Sequence, residues 1–550
     1  MESIYLFMTA LFAALIMVPA LRQWALQTRT LDVPDERKVH RVAVPRIGGI
    51  AIYVSFLFAV LIFMPMADRT RGLMAGGLVL FVTGLVDDIY GISPRRKLLG
   101  QVVGTVITMG VSGIYIHTLG NLLGTGELTL SPWLGIPFTL FAVVGVINAI
   151  NLIDGLDGLA GGVSAIALTA FMVLGYHDGN VKVIMICAAL LGALLGFLKY
   201  NFFPARIFMG DTGSLTVGFV LAFAALYLTQ APEARIPPVT PLIVLGLPII
   251  DTVWVMSSRL LRRQSPFSPD MTHVHHKFLS LGLEHRYTVV MIYGISVAWA
   301  LFAALFHEMS QMLQLAVYVG VSVCSYLAIR WLTRRGKNIP FMGNDSSDGI
   351  RESVLYRRAA DTVAAFWPLL ALLLAAYLVM ALIAAAQVGA AVAELMLILA
   401  GGGVALFLLT RSMANPYLLA MFYVSSMAIA FMIARYGTMP LMEGISLKNL
   451  ADLLLTLMVP LAASRFLFRR PHEFFLEGID YLLLGVTIFL CMVVPQLTGI
   501  INLNGVLVRG VTIFCTLKVL SVQGPRMSRS LAIAILLTML AIVVRGYGGW

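Results

Sequence analysis

The chain has 550 residues, 59% of them hydrophobic and 12% charged, with a mean hydropathy of +0.91 and a net charge of +11. Those values exclude a soluble globular domain and require lipid as the solvent for most of the chain. The positive charge sits in short loops between apolar runs, where positive-inside bias accounts for it without a nucleic-acid partner, and Cys187, Cys324, Cys491 and Cys515 lie within apolar runs at spacings that imply neither a disulfide framework nor a zinc site.

In chain order, apolar runs predict membrane helices near 4–25, 48–66, 73–86, 98–116, 134–152, 159–176, 181–198, 215–228, 241–260, 288–307 and 311–332. The first run is followed by Arg22 and Arg29 rather than by a small-residue cleavage site, so a retained helix is expected. Basic residues gather in the odd-numbered gaps: Arg29, Arg37, Lys38, Arg41 and Arg46; Arg95, Arg96 and Lys97; Lys199 and Arg206; Arg262, Arg263, Lys277 and Arg286; and Arg334, Arg335, Lys337, Arg351, Arg357 and Arg358 after the eleventh run. The even gaps hold Arg69, Arg71, Lys182 and Arg235. The odd gaps are therefore expected on the cytoplasmic side and the N-terminus outside.

Residues 333–360 are polar, contain Gly336, Pro340, Gly343 and Gly349, and read as a cytoplasmic linker. Beyond them, runs near 361–386, 389–410, 416–434, 447–464, 476–498, 504–522 and 530–546 predict about seven more helices, with Arg465, Arg469 and Arg470 at a cytoplasmic turn. The expectation is an all-α polytopic membrane protein: an eleven-helix core in 1–332, a linker, and an additional transmembrane domain in 361–550 whose role stays open. No repeat relates the halves, which weighs against a transporter built from inverted repeats.

Five polar clusters interrupt the core, and every one falls in an odd gap, as expected for an enzyme site on one membrane face. In 32–46 a charged loop leads through Pro45, Arg46, Gly48 and Gly49 into the second run; a solvated boundary loop explains most of it. Asp87 and Asp88 end the third run, and adjacent carboxylates stay ionised together most easily beside a divalent cation or basic groups. In 148–157, Asn148, Asn151, Asp154 and Asp157 recur every three residues, so they share one helical face, and Gly155 and Gly158 allow close approach of a ligand or backbone. Carboxylates at this depth are costly and point to function.

Met209-Gly210-Asp211 precedes the eighth run. An ordinary helix start capped by Asp211 or Ser214 explains it, and so does a phosphate site at helix amides with Asp211 as a Mg²⁺ ligand and Phe208 stacked on a base. His273, His275 and His276 lie in a long loop that lacks cysteine or paired ligand spacing, which favours phosphate or sugar contact over zinc.

With these strings in place, the first 330 or so residues resemble the polyprenyl-phosphate N-acetylhexosamine-1-phosphate transferase family. Val86-Asp87-Asp88, Asn151-Leu-Ile-Asp154-Gly-Leu-Asp157, Met209-Gly210-Asp211 and the segment from Ser265 to His276 are similar, in order, to its cytoplasmic signatures. The resemblance implies that undecaprenyl phosphate attacks the β-phosphate of a UDP-N-acetylhexosamine, giving the lipid-linked diphosphate sugar and UMP at the plasma membrane to start cell-envelope glycan synthesis. It implies Mg²⁺, with Mn²⁺ able to replace it. Asp211 and Asp88 are the implied metal ligands, Asp87 the candidate base, and Asn151, Asp154, Asp157 and Phe208 the uridine contacts. His273, His275 and His276 are implied to touch phosphate or sugar.

Val274 separates the first histidine from the next two, which is similar to the branch that uses UDP-GlcNAc or a related sugar rather than phospho-MurNAc-pentapeptide. The expected partners are the nucleotide sugar, the lipid phosphate and the bilayer. A second copy of the chain is a further candidate, as are downstream glycan enzymes docking through 361–550. The alternatives are pentapeptide transfer and, from another class, a transporter or flippase with polar groups near mid-bilayer.

Overall fold

The computed structural model describes residues 2–28, 44–232, 234–263 and 273–334, and beyond these chiefly 365–384, 440–442, 445–467, 503–521 and 525–548. The expectations for 32–41, for the segment from Ser265 to Asp270, for most of the linker and for most of the apolar runs at 389–410, 416–434 and 476–498 lie outside the described residues. The chain divides into two compact units, Met1–Met342 with Gly478–Thr498, and Gly343–Glu477 with Gly499–Trp550.

In the first unit the helices are α1 (Glu2–Thr28), α2 (Gly48–Phe63), α3 (Asp68–Tyr90), α4 (Pro94–Ser112), α5 (Pro132–Ile153), α6 (Leu159–His177), α7 (Val181–Asn201) and α8 (Gly210–Gln230). They continue with α9 (Val239–Val244), α10 (Gly246–Leu261), α11 (Val274–Ser280), α12 (His285–Leu305) and α13 (Gln311–Arg334). Among the described residues of the whole chain, ten helices are long and apolar enough to cross a membrane. The protein is an all-α, multi-pass membrane protein.

Each expected core helix is present, with instructive differences at the ends. The run at 241–260 is two helices, α9 and α10, meeting at Leu245. Pro248 lacks an N–H and its ring crowds the carbonyl four residues back, at Val244, which removes one bond of the helical ladder where the two helices meet. The third helix runs on through Asp87 and Asp88 and stops at Gly91, whose φ of 64° lets its N–H return to Asp87 O at 2.8 Å. Pro94 and Pro132 sit at the first helical positions of α4 and α5, where a missing N–H costs nothing.

Helices α6 and α8 form the axis of this unit. Their apolar stretches are 89% buried, against 33% for α3 and α5. Around α8 pack α2, α3, α5, α6 and α7, while α1 lies on α7 and α2. Without a hydrophobic drive between helices in lipid, such packing depends on small residues that let backbones approach. Gly218 of α8 rests on Ile147 of α5, Gly49 of α2 meets Gly213 of α8, and Gly84 of α3 meets Thr212 at the start of α8.

In the second unit α14 (Trp367–Ala384), α15 (Leu447–Leu467), α16 (Leu503–Ser521) and α17 (Pro525–Gly548) are described, with a short antiparallel pair of β1 (Pro440–Met442) and β2 (Ile445–Ser446). Arg509 of α16 grips Asp452 of α15 through Nε and Nη2, at 2.6 and 2.7 Å. This two-pronged pair keeps a buried guanidinium from being left uncompensated in the apolar unit.

The α3–α8 crossing yields a direct test. A Cβ at Gly84 would sit 2.5 Å from Thr212 Cα and 2.7 Å from Asp211 O, both backbone atoms that cannot give way. Gly84→Ala is expected to destabilise the protein by about 1–3 kcal/mol through overpacking. Thermal unfolding of the purified full chain checks this, and an unchanged midpoint contradicts the close crossing.

Candidate active site

The C-terminal ends of α3 and α5 and the N-terminal ends of α4 and α8 meet at one end of the first unit. The decisive contact is made by Asp88, in the last turn of α3. Its Oδ1 accepts from Asp211 N at 2.8 Å, and its Oδ2 accepts from Thr212 N at 2.8 Å and Thr212 Oγ1 at 2.5 Å. The first amides of a helix have no partner within it, and here a carboxylate from 123 residues earlier satisfies two of them. The sequence expectation of a cap by Asp211 or Ser214 gives way to a cap supplied by another helix, because Met209 in the cap position offers no side-chain acceptor.

Gly210 makes that approach feasible. Its φ is 69°, and a Cβ there would meet the Asp88 carboxylate and Arg46 O. The chain before α2 locks against the same place: Phe208 N donates to Pro45 O, Gly48 N to Phe208 O and Gly49 N to Met209 O, at 2.8–2.9 Å. The segment containing Pro45, Arg46, Gly48 and Gly49 is therefore part of the site's frame.

Asp87 is aimed differently from its neighbour. Its Oδ1 accepts from Ile92 N at 2.9 Å, and its Oδ2 lies 3.2 Å from Lys97 Nζ. The same ammonium reaches Asp211 Oδ1 at 2.5 Å, and Asn151 Nδ2 also donates to that oxygen while lying 2.7 Å from Ser214 Oγ. Lys97 thus sits between two carboxylates contributed by α3 and α8. It was visible in the sequence only as one of three basic residues after Asp87 and Asp88. The turn at Gly91 and the helix start at Pro94 are what fold it back.

The three-residue string divides between framework and site. Asn148 exchanges amide hydrogen bonds with the buried Gln101 of α4, a packing contact. Asn151 reaches Asp211, as described. Asp157 Oδ2 accepts from Ala205 N at 2.9 Å, and Asp157 N donates to His285 Nε2 at 3.1 Å, so this residue fastens the loop before α6 to the loop before α8. Asp154, at the end of α5, donates its backbone N–H to Asn151 O at 3.3 Å and is half-buried. Burial pushes its carboxyl up to about 7, with repulsion from Asp211 adding to the shift and Arg46 opposing it.

Gly155 leaves room for the imidazole of His275, whose ring occupies the space a Cβ would need. His275 is buried, lies 4.2 Å ring to ring from His276 and stacks nearly parallel to His273 at 5.9 Å. His273 Nδ1 lies 2.8 Å from Asp251 Oδ2. The histidine cluster and the 148–157 string are therefore one assembly, joined at Gly155.

Mg²⁺ takes hard oxygen ligands and commonly uses one or two carboxylates together with substrate phosphates and water. Asp87 and Asp211, flanking one cation in the form of Lys97, fit that pattern. Among the described residues no group of three or more His, Cys, Asp or Glu could hold a metal ion by itself. Of the two expected metal ligands, Asp211 keeps a partly exposed side chain at 30%, whereas both Asp88 oxygens are turned to the start of α8.

Residues 70–229 match the family described as Glycosyl transferase family 4. The chain is 35% identical over 298 residues to the probable undecaprenyl-phosphate N-acetylglucosaminyl 1-phosphate transferase of Bacillus subtilis, covering 54% of this chain and 83% of that protein. It is 35% identical over 296 residues to the undecaprenyl-phosphate alpha-N-acetylglucosaminyl 1-phosphate transferase of Yersinia pestis, covering 53% and 80%. The enzyme of that name from Haemophilus influenzae is 33% identical over 338 residues, covering 60% and 94%. This chain belongs to glycosyl transferase family 4. The family match holds Asp87, Asp88, Lys97, Asn151, Asp154, Asp157 and Asp211, and leaves the histidine cluster beyond it.

The buried histidine gives this family member a defined pH response. Burial pushes His275 down to about 3, with the neighbouring His276 adding to the shift. An unfolded histidine takes up its proton near 6.5, so between about 6.5 and 3 the unfolded chain binds a proton that the native state refuses. The stability contributed by neutral His275 is complete above about 6.5 and is lost as pH falls, by about 2 kcal/mol at pH 5. Asp154 acts with the opposite sign, since a raised carboxyl stabilises the fold as pH falls. That share is common to wild type and His275→Gln and cancels between them. The unfolding midpoint should fall more steeply from pH 7.5 to pH 5 in wild type than in His275→Gln; parallel curves contradict a buried neutral His275.

Proposed function

We propose that this protein transfers N-acetylglucosamine 1-phosphate from UDP-N-acetylglucosamine to undecaprenyl phosphate, releasing UMP and starting the assembly of a cell-envelope glycan. A lipid-phosphate oxygen forms the new bond to the β-phosphorus of the nucleotide sugar, and the bond from that phosphorus to the oxygen bridging to UMP breaks. The names of the relatives support the acceptor and the transferred group. The observation that carries the reading is the Asp87–Lys97–Asp211 cluster, set where four helix ends meet and beside the amides that Asp88 anchors. Basic residues concentrated in the loops at this end support a cytoplasmic face.

Phosphoryl transfer asks a protein for positioning and for compensation of charge. A bound Mg²⁺ would neutralise part of the diphosphate charge, held by Asp211 and Asp87. Lys97 supplies a second positive charge in the same place. Asn151 and Ser214 orient the Asp211 carboxylate, and Asp88 fixes the helix that carries it. Asp154 and Phe208 are assigned to the uridine, and Asp157 shapes that pocket by fastening Ala205. His273 and His276 are assigned to phosphate or sugar, with His275 packing the cluster against Gly155.

A phosphate monoester has a second pKa of about 6, so the acceptor is already largely ionised near neutral pH. The reaction therefore needs no strong base, and Asp87 serves better as a partner of Lys97 and the metal. The chemistry is assigned to 1–332. Residues 361–550, beyond the N-terminal part that the relatives match, are assigned to stability, self-association or docking of a downstream enzyme.

The test is UMP release by the full chain with undecaprenyl phosphate and a panel of UDP-sugars. UDP-N-acetylglucosamine is expected to outcompete UDP-MurNAc-pentapeptide, chelation of divalent metal to stop turnover, and Asp211→Asn and Lys97→Met each to lower kcat by at least about 100-fold. A chain ending near Arg358 is expected to keep the activity. Metal-independent turnover, or near-normal kcat in Asp211→Asn, contradicts the assignment.

A further inference from the structure

Asp251 is the one acidic residue of α10 and is 2% exposed. A buried carboxylate is costly unless its lone pairs are filled. Three donors fill them. Val274 N–H and Tyr326 O–H reach Oδ1 at 2.9 and 2.6 Å, and His273 Nδ1 reaches Oδ2 at 2.8 Å. Tyr326 comes from α13, and Lys277 Nζ of α11 lies 4.5 Å from its ring centre. One carboxylate thus ties α10, α11 and α13 together at the histidine cluster.

We propose that Asp251 is the positioning residue that fixes both the place and the tautomer of His273 for the transfer reaction, a role that rests on the transferase reading. Place follows from the bond to Val274 N, which pins the start of α11. The next residue, His275, then packs on Gly155 in the loop that carries Asp154 and Asp157. Tautomer follows from the chemistry of the acceptor. An ionised carboxylate can only accept, so Nδ1 of His273 carries a proton, and Nε2 on the far side of the ring is the nitrogen left for the transferred group.

Asp251→Asn separates this role from packing. The two donors at Oδ1, Val274 N–H and Tyr326 O–H, hold the amide oxygen at that position. The amide NH₂ must then replace Oδ2 and face His273 Nδ1. Two donors cannot face each other, so Nδ1 gives up its proton and the neutral ring carries it on Nε2 instead. The side chain keeps its shape while the ring's chemistry inverts.

The experiment is ¹⁵N NMR of the histidine-labelled full chain at a pH where the ring is neutral, with the His273 signals assigned from His273→Gln, beside steady-state kinetics with UDP-N-acetylglucosamine. Wild type is expected to show His273 protonated at Nδ1 and unprotonated at Nε2. Asp251→Asn is expected to show the reverse and to lose roughly 10- to 100-fold in kcat/KM, while Tyr326→Phe keeps the wild-type tautomer with a smaller loss. Wild-type His273 protonated at Nε2 overturns the proposal, and so does a folded Asp251→Asn with the wild-type tautomer and rate. If Asp251→Asn does not fold, the wild-type spectrum decides. Absence of transfer by wild type would defeat the transferase reading while leaving the tautomer measurement intact.

Discussion

A helix that begins inside a bundle leaves its first amide N–H groups without partners, and lipid offers none. In α8 those groups belong to Asp211 and Thr212, and Asp88 of α3 satisfies them with both of its oxygens. This contact sets the depth of α8 relative to α3. It therefore sets where Asp211 stands relative to Asp87. It also explains why small residues crowd this crossing: Gly84, Gly210 and Gly49 each occupy a place where a Cβ would strike backbone or the Asp88 carboxylate.

Once that crossing is fixed, electrostatics does the rest. Asp87 and Asp211 come from different helices and share one ammonium, which also draws the start of α4 into the site. The neighbouring carboxyl groups of Asp154 and Asp157 differ in setting, the first raised by desolvation and by the charge of Asp211 and the second bonded to Ala205 N. Negative charge is thus concentrated around Lys97 and the partly exposed Asp211, as the proposed handling of diphosphate with a hard cation requires. The same concentration would be costly without such ligands.

Hydropathy made nearly all of the first unit legible in the sequence, because membrane helices must be apolar for a fixed length and loops must carry the charge. The clusters at 87–88, 148–157, 209–211 and 273–276 were legible as polar interruptions for the same reason. What the sequence hid is long-range pairing. Nothing local in Val86-Asp87-Asp88 distinguishes the carboxylate that caps α8 from the one that meets Lys97. The partner of His273 is an aspartate 22 residues away in a different helix, signalled only by its isolation among apolar residues. Pro248 is the local signal in the sequence for the break between α9 and α10.

The central claim is a division of labour between adjacent aspartates: Asp88 holds the helix and Asp87 faces the chemistry. An experimental structure of the full chain with UDP-N-acetylglucosamine and Mg²⁺ bound tests it directly. The account predicts density for the metal and diphosphate beside Asp87, Lys97 and Asp211, with Asp88 still bonded to the amides of Asp211 and Thr212. A metal ligated by Asp88, with those amides released or turned to phosphate, would contradict it.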